Sequence, residues 1–93
     1  MKFEWDENKR IANLKKHGFD FADAYIVFED ENAVRYPDER EDYGEERFVI
    51  VGKINGIIIA SVCYAGRNEN IRIISMRYAS KERIYYGDSS VHN

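Results

Sequence analysis

The pattern of hydrophobic and polar positions near the N-terminus predicts a short strand followed by two helices. Phe3 alternates with charged neighbours, which is typical of a half-buried strand. Asp6 offers an N-cap and Gly18 a C-terminal cap, so a helix is predicted over about 7–17. Apolar side chains then recur at i, i+3, i+4 and i+7, which predicts a second helix over about 20–28. Because its apolar stripe is wider, we expect this second helix to pack more deeply.

A β-hairpin is predicted where Asn55-Gly56 separates two runs of β-branched residues, the pattern of a two-residue type I′ turn. If Ile54 pairs with Ile57 across this turn, two faces of the hairpin follow. The face expected to pack against the helices carries Phe48, Ile50, Gly52, Ile54, Ile57, Ile59, Ser61 and Cys63. The face expected to remain available for binding carries Arg47, Val49, Val51, Lys53, Ile58, Ala60, Val62 and Tyr64.

The rest of the chain predicts two more strands and a short helix. Residues 33–36 are predicted to form a brief edge strand that stops at Pro37, which cannot donate to a sheet ladder. A last strand is predicted at about 71–78 and a short charged helix near 80–86, while the tail 87–93 is expected to fray. The order predicts an α+β domain, in which an antiparallel sheet carries two N-terminal helices on one face and a short C-terminal helix.

Length and composition favour one folded domain over 1–93. Two compact units would leave neither with enough of the 93 residues for a self-supporting core. The only cysteine, Cys63, excludes an internal disulfide and a cysteine-based zinc site, and favours a reducing compartment. The apolar run 57–63 is far shorter than the roughly 20 residues of a membrane helix, and the N-terminus lacks the signal-peptide pattern. We therefore expect a cytoplasmic protein with no membrane contact.

Charge is unevenly distributed, although the formal net charge is only −3. Residues 20–46 carry eleven acidic and two basic side chains, whereas 1–19, 47–66 and 67–83 each carry a basic excess of two or three. The net charge argues against a generally basic nucleic-acid coat protein, but the distribution leaves room for a local anion-binding surface. Ordinary solvated surface charge is the alternative explanation.

Familiar catalytic motifs are missing, which leaves arginines and tyrosines on the predicted strands. The two histidines lie 75 positions apart with no cysteine or histidine at ligand spacing, so we expect no metal. No Gly-x-Ser-x-Gly elbow or phosphate-binding glycine loop is present. Arg72 and Arg77 interrupt an apolar run, and each needs an anion, either one of the protein's own carboxylates or a phosphate. Strict alternation places them on opposite faces, so one shared site requires a β-bulge between them.

Several short motifs occur in a fixed order along the chain. They are Trp5-Asp6, Lys9, Asn13, Lys16-His17-Gly18, Phe21, Ala24, Val27-Phe28, Glu46-Arg47, Gly52, Ile73-Ile74-Ser75-Met76-Arg77-Tyr78-Ala79 and Glu82-Arg83. In this combination the chain, from Phe3 to Tyr86, resembles the BrnT toxins of bacterial type II toxin–antitoxin modules. The most specific part is the Lys-His-Gly spacing after Trp-Asp, together with the Ile-Ile-Ser-x-Arg-x-Ala ending.

The resemblance implies a RelE-like α+β fold and a metal-independent endoribonuclease, without a cofactor, that slows growth by degrading RNA. It also implies a BrnA-like antitoxin that blocks the toxin and supplies the contact to operator DNA. Tyr78 stands where many family members carry a lysine, a departure that bears on RNA affinity or rate.

The chemistry implied is attack of an RNA 2′-hydroxyl on the neighbouring phosphate, which needs a base, cationic support and an acid. The candidate catalytic residues are Arg72, Arg77, Arg47, Glu46 and His17. The candidate RNA-binding residues are Tyr64, Lys53, Tyr78 and Arg83. Guanidinium groups suit the phosphate, Glu46 is a base unless it only pairs with Arg47, and His17 is better explained as a helix cap than as an acid or base. Trp5 is a stacking candidate for which core packing is the better explanation. A binding protein without catalysis is the alternative function.

Overall fold

The structure, a computed structural model, describes residues 2–67 and 69–86 and contains one five-stranded sheet with the order β1-β5-β4-β3-β2. The elements are β1 (Lys2–Glu4), α1 (Glu7–His17), α2 (Ala24–Glu29), β2 (Val34–Pro37), β3 (Arg47–Ile54), β4 (Ile58–Arg67) and β5 (Asn70–Tyr78), with 3₁₀ helices at Phe21–Asp23 and Lys81–Tyr85. This arrangement confirms the α+β class. The predicted frayed tail, 87–93, lies outside the described residues.

The sheet is mixed, which corrects the expectation of an antiparallel sheet. β2, β3, β4 and β5 are joined by antiparallel pairing, but β1 pairs parallel with β5, with Phe3 opposite Ile71. A parallel partner lies far away in the sequence, because the chain must cross over before it returns in the same direction. The local pattern around β1 therefore identifies a strand but not its partner.

The helix predicted over 7–17 is confirmed with both of its caps. The Asp6 carboxylate accepts a hydrogen bond from the Lys9 N–H at 3.1 Å, and Gly18, at φ 78°, donates from its N–H to the Leu14 carbonyl at 2.9 Å. The predicted second helix divides into the 3₁₀ turn at Phe21–Asp23 and the shorter α2, and the predicted C-terminal helix is 3₁₀ instead of α.

The main core lies between the helical segment 19–29 and one face of the sheet. Its buried members are Phe19, Phe21, Ala24, Val27, Ile50, Ile54, Ala60, Val62, Tyr64, Ile71, Ile73 and Met76. Full burial of one such side chain stabilises the fold by roughly 1.5–3 kcal/mol. Gly52 allows α2 to approach β3 closely, because a Cβ at Gly52 would lie 3.0 Å from Val27 Cγ1 and 3.1 Å from the Val27 carbonyl oxygen.

The buried residue of α1 is Asn13, and it closes an open edge of the sheet. β1 pairs only with the beginning of β5, through Arg72, so the edge of β5 beyond that residue needs other partners. The Asn13 amide donates to the Met76 carbonyl at 2.8 Å and accepts from the Met76 N–H at 3.1 Å. It also donates to the Phe19 carbonyl at 3.1 Å. One side chain thus replaces a missing strand residue and fixes α1 against the sheet.

The β3–β4 hairpin is one residue longer at its turn than the sequence predicts. Ile54 pairs with Ile58, not with Ile57, so the loop has three residues. Asn55 and Gly56 both adopt positive φ, at 57° and 75°, and Ile57 is 83% exposed. The Asn-Gly pair therefore identified the turn correctly but not its length.

This shift by one residue leaves the predicted faces of β3 in place and reverses those of β4. The β4 residues that face the helices are Ile58, Ala60, Val62 and Tyr64. The β4 residues on the opposite face are Ile59, Ser61 and Cys63. Because side chains alternate with period two, a slip of one residue moves every β4 side chain to the other face.

Candidate active site

A β-bulge in β5 changes which side chains share a face of the sheet. Cys63 pairs with Ser75, but the next residue of β4, Tyr64, pairs with Ile73. Ile74 is therefore the extra residue, and it reverses the alternation of side chains on either side of it. This is the bulge that a shared arginine site requires.

As a result, all three predicted strand arginines lie on the face of the sheet opposite α1 and α2. Arg47 and Arg72 both pair with Ala65, and Arg77 pairs with Ser61 two rungs beyond Cys63. We call this surface the open face. The polar strand residues on this face include Arg47, Lys53, Ser61, Cys63, Arg72, Ser75 and Arg77.

Arg47 and Arg72 are joined by a carboxylate of the protein itself. Glu45 Oε2 accepts from Arg47 Nε at 3.0 Å and from Arg72 Nη2 at 2.5 Å. Hydrogen bonding from Arg47 and the charges of both arginines lower the pKa of Glu45. The Arg47 guanidinium also lies 4.0 Å above the ring of Tyr43. Two cations thus share one anion, and the group keeps a net positive charge.

Next to this group, a cleft of about 200 Å³ opens between the segment after β2 and the C-terminal 3₁₀ helix. It is lined by Tyr36, Pro37, Asp38, Glu39, Arg40, Val49, Ser61, Cys63, Ser75, Arg77 and Glu82. Asp38 pairs with Arg40 and Cys63, and Arg77 pairs with Glu82, so these pairs determine what the cleft can bind.

Asp38 forms one wall of the cleft, and its carboxylate is almost fully buried, with 1% of the side chain exposed. It accepts from Arg40 Nε and Nη2, both at 2.8 Å, and from the Tyr43 hydroxyl at 3.2 Å. These bonds, chiefly those from Arg40, hold the pKa of Asp38 well below its usual range despite burial. One carboxylate of the acidic stretch 20–46 is therefore buried and paired within the protein instead of lying in solvent. The sequence contains a local signal for this pairing, because Asp38 follows a proline and the donor Arg40 lies two residues later.

Cys63 lies at the base of the cleft as a neutral thiol. Burial, followed by the neighbouring Asp38 carboxylate, raises the pKa of Cys63 to about 11. Its Sγ donates to Asp38 Oδ2 at 3.5 Å. A thiol held in its protonated form is a poor nucleophile, so Cys63 acts as packing and as a hydrogen-bond donor.

Arg77 projects from β5 at the opposite wall, where it meets Glu82. Arg77 Nη1 lies 2.7 Å from Glu82 Oε1 and donates to the Tyr78 carbonyl at 3.0 Å. The Glu82 side chain is only 10% exposed. Burial raises the pKa of Glu82, but the backbone N–H groups of Glu82 and Ser80 and the charge of Arg77 outweigh burial, so the carboxylate is ionised at neutral pH. The sequence identifies Glu82 only as part of the motif Glu82-Arg83. The burial of its side chain, which marks it as a site residue, is visible only in the structure.

The remaining predicted catalytic residues lie away from this cleft. Glu46 is exposed before β3 and lines a wider hollow of about 530 Å³ together with Arg47 and several acidic residues. His17 is the last residue of α1, which packs on the helix side of the sheet. The structure therefore brings Arg47, Arg72 and Arg77 onto one face, and places His17 on the other side.

The predicted RNA-binding residues are also dispersed. Tyr64 is 5% exposed and packs in the core with Phe28 and Phe48, because the hairpin register turns it towards the helices, so its predicted place on the binding face is wrong. Trp5 packs against the same core.

Tyr78 lies on the helix side, where its ring packs edge-on against Phe19 with the two ring centroids 4.7 Å apart. Lys53 is exposed on the open face, and Arg83 is exposed on the C-terminal 3₁₀ helix.

The described part of the chain offers neither a cluster of metal ligands nor a membrane-spanning helix. Among residues 2–67 and 69–86, no three His, Cys, Asp or Glu side chains are grouped so that they could hold a metal ion. Within the same residues, no helix has the length and apolar character needed to cross a membrane.

Comparisons with known proteins point to one family. Residues 5–82 match the sequence model described as "Ribonuclease toxin, BrnT, of type II toxin-antitoxin system". The fold matches the 1.1 Å crystal structure of the Brucella abortus ribonuclease toxin BrnT, with a TM-score of 0.71 and 39% sequence identity. That match covers 87% of this chain and 99% of the Brucella chain. No curated protein matches the chain. This chain therefore belongs to the BrnT family of ribonuclease toxins of type II toxin–antitoxin systems.

Proposed function

We propose that this chain is an active, metal-independent endoribonuclease and that the cleft beside Arg77 binds the phosphate that is cleaved. The observation that carries the proposal is the convergence of Arg77, Arg72 and Arg47 on the open face through the bulge at Ile74. Guanidinium groups bind phosphate oxygens through paired N–H donors and stay charged at any physiological pH.

The proposed reaction is attack of the RNA 2′-hydroxyl oxygen on the adjacent phosphorus. The bond from phosphorus to the 5′-oxygen breaks, which leaves a 2′,3′-cyclic phosphate on one fragment and a 5′-hydroxyl on the other. Negative charge builds on the phosphate oxygens during attack, and the proposed role of Arg77 is to stabilise that charge. A donor aimed at developing charge in this way contributes on the order of 10²–10³ in rate.

Arg47 and Arg72 are proposed to bind a neighbouring phosphate of the same RNA strand. In the structure their shared anion is Glu45, and a bound phosphate would take the place of this carboxylate. Lys53 on the open face and the exposed Arg83 remain proposed RNA contacts, whereas Tyr64 is withdrawn from this role because it is buried. Tyr78 is retained only as a contact for RNA that reaches around to the helix side.

The proposed partner is a BrnA-like antitoxin. Membership of a type II toxin–antitoxin family implies a protein antitoxin, and we propose that it inhibits this chain and makes the main contacts with operator DNA. A RelE-like relationship of the fold and a cytoplasmic location belong to the same proposal.

The test is incubation of the purified protein with single-stranded RNA in the presence of EDTA, followed by mapping of the fragment ends. We expect cleavage that persists in EDTA and yields 2′,3′-cyclic phosphate ends, and no cleavage at a position carrying a single 2′-deoxynucleotide. Cleavage that EDTA abolishes, or cleavage at the 2′-deoxy position, would contradict the mechanism. Binding of RNA without any cleavage would favour the non-catalytic alternative.

A further inference from the structure

We propose that Glu82 is the general base, the group that removes the proton from the attacking 2′-hydroxyl. This assignment rests on the proposed ribonuclease activity and replaces Glu46, which lies outside the cleft. It follows from the position of the carboxylate, from the spare acceptor capacity of its Oε1 atom and from the state of the other groups around it.

The position of Glu82 suits a base, because it is adjacent to the cation that would hold the phosphate. Glu82 Oε1 lies 2.7 Å from Arg77 Nη1, and both residues line the same cleft. A 2′-hydroxyl that attacks a phosphate bound by Arg77 therefore comes within reach of this carboxylate, as a general base requires.

Glu82 also keeps an oxygen with spare acceptor capacity. Within residues 2–67 and 69–86, Oε1 accepts no hydrogen bond of good geometry, although it is buried and close to Arg77. Its electrostatic partner is the Arg77 guanidinium, and a carboxylate oxygen beside one such cation still has a lone pair that can accept from a bound hydroxyl. A 2′-hydroxyl of bound RNA would donate this hydrogen bond and then its proton.

Asp38, Cys63 and Tyr36 are unsuited to the role, and the remaining carboxylate of the cleft, Glu39, is exposed to solvent. Asp38 already accepts from Arg40, Tyr43 and Cys63, which uses its lone pairs. Cys63 is protonated, and burial likewise raises the pKa of Tyr36 above its ordinary value. Glu82 is the buried carboxylate whose Oε1 atom pairs with Arg77 alone and accepts no further hydrogen bond within residues 2–67 and 69–86.

The proposed step balances as follows. The Glu82 carboxylate takes the proton of the 2′-hydroxyl while the 2′-oxygen bonds to phosphorus. The bond from phosphorus to the 5′-oxygen breaks, and that oxygen takes a proton from water. Glu82 then returns its proton to solvent, and no atom is oxidised or reduced.

The main alternative is that Glu82 only holds Arg77 in place, and binding measurements separate the two roles. The variants are Glu82→Gln and Glu82→Asp, with Glu31→Gln, exposed in the turn before β2, as the matched control. RNA affinity is measured with an oligonucleotide that carries one 2′-deoxynucleotide at the cleavage position and so is not cut. Cleavage rate is measured with the unmodified oligonucleotide, and folding is measured by thermal melting.

If Glu82 is the base, Glu82→Gln lowers the cleavage rate by about 10²–10⁴ and leaves affinity within about threefold, because Arg77 still binds phosphate. Cleavage at the parental rate, or losses of rate and affinity of equal size, would overturn the assignment. If Glu82→Gln fails to fold, Glu82→Asp decides: we expect a rate at least about tenfold lower at unchanged affinity, and a parental rate would overturn it. Failure of the parent protein to cleave RNA would instead refute the proposed function.

Discussion

The arginines of the open face are held by carboxylates of different burial, and this difference predicts how each responds to substitution. Arg72 pairs with Glu45, which is exposed, whereas Arg77 pairs with the buried Glu82. Substitution of Arg77 leaves the buried Glu82 carboxylate without its counter-ion, whereas substitution of Arg72 leaves only the exposed Glu45 carboxylate. Burial of its partner therefore places the greater folding risk at Arg77.

Glu45 is expected to compete with RNA for Arg47 and Arg72. We predict that Glu45→Gln strengthens binding of a 2′-deoxy-protected oligonucleotide by about three- to tenfold at low salt, because two guanidinium groups lose their internal anion. Fluorescence anisotropy with Glu31→Gln as control measures the effect. Weaker binding by Glu45→Gln would show that the carboxylate positions these arginines and does not compete with phosphate.

Asp38 is expected to make the fold sensitive to acid. Its pKa is lower in the folded than in the unfolded protein, so its stabilising effect is complete above the unfolded value of about 4 and is lost as pH falls through the folded value. We predict that Asp38→Asn lowers the free energy of unfolding by about 2 kcal/mol at pH 7 and by less at pH 3. Urea unfolding at both pH values, with exposed Glu41→Gln as control, tests this. An equal loss at both would contradict it.

Among the elements, α1 depends on one polar side chain for its contact with the sheet edge. Asn13→Ala leaves the Met76 N–H and carbonyl without the partner that replaces a strand. We predict a loss of about 2–4 kcal/mol in the free energy of unfolding, since two buried backbone groups become unsatisfied. The matched control is Asn8→Ala, exposed on the same helix and expected to change stability little. A similar small change for Asn13→Ala in urea unfolding would show that water replaces the amide.

The elements also show which features a single sequence determines. The capped helix α1 follows from Asp6 and Gly18, because caps are local chemistry between residues a few positions apart. The length of the hairpin turn does not follow from Asn55-Gly56, since both residues adopt positive φ in the three-residue loop as they would in the two-residue turn. Turn length was decided by burial of alternate β4 side chains beneath the helices.

The candidate site was predictable only in part for the same reason. The arginines were identified as cations in need of an anion, and the requirement for a bulge followed from strict alternation. Three further features depend on contacts between distant segments. They are the bulge at Ile74, the burial of Asp38 and the pairing of Arg77 with Glu82. Such contacts leave no periodic signal in the sequence.

At the scale of the whole molecule, charge of both signs is available for recognition. The acidic residues are concentrated in 20–46 and the basic residues elsewhere, with a net charge of −3. This distribution favours steering of a charged protein partner over binding of duplex DNA by this chain alone. We predict that operator DNA binds the toxin–antitoxin pair at least tenfold more tightly than it binds this chain, as measured by anisotropy at fixed salt. Equal affinities would contradict the proposed division between toxin and antitoxin.

The most direct test of the cleft as a ribonuclease site is the cleavage rate of Arg77 variants, measured together with their melting temperatures. Arg77→Ala is predicted to cleave RNA about 10²–10³ times more slowly than the parent, and Arg77→Lys is predicted to remain impaired because an ammonium group cannot reproduce the paired donors. Lys15→Ala, an exposed cation on α1, is expected to cleave at the parental rate. A folded Arg77→Ala protein that cleaves RNA as fast as the parent would contradict the assignment of the active site.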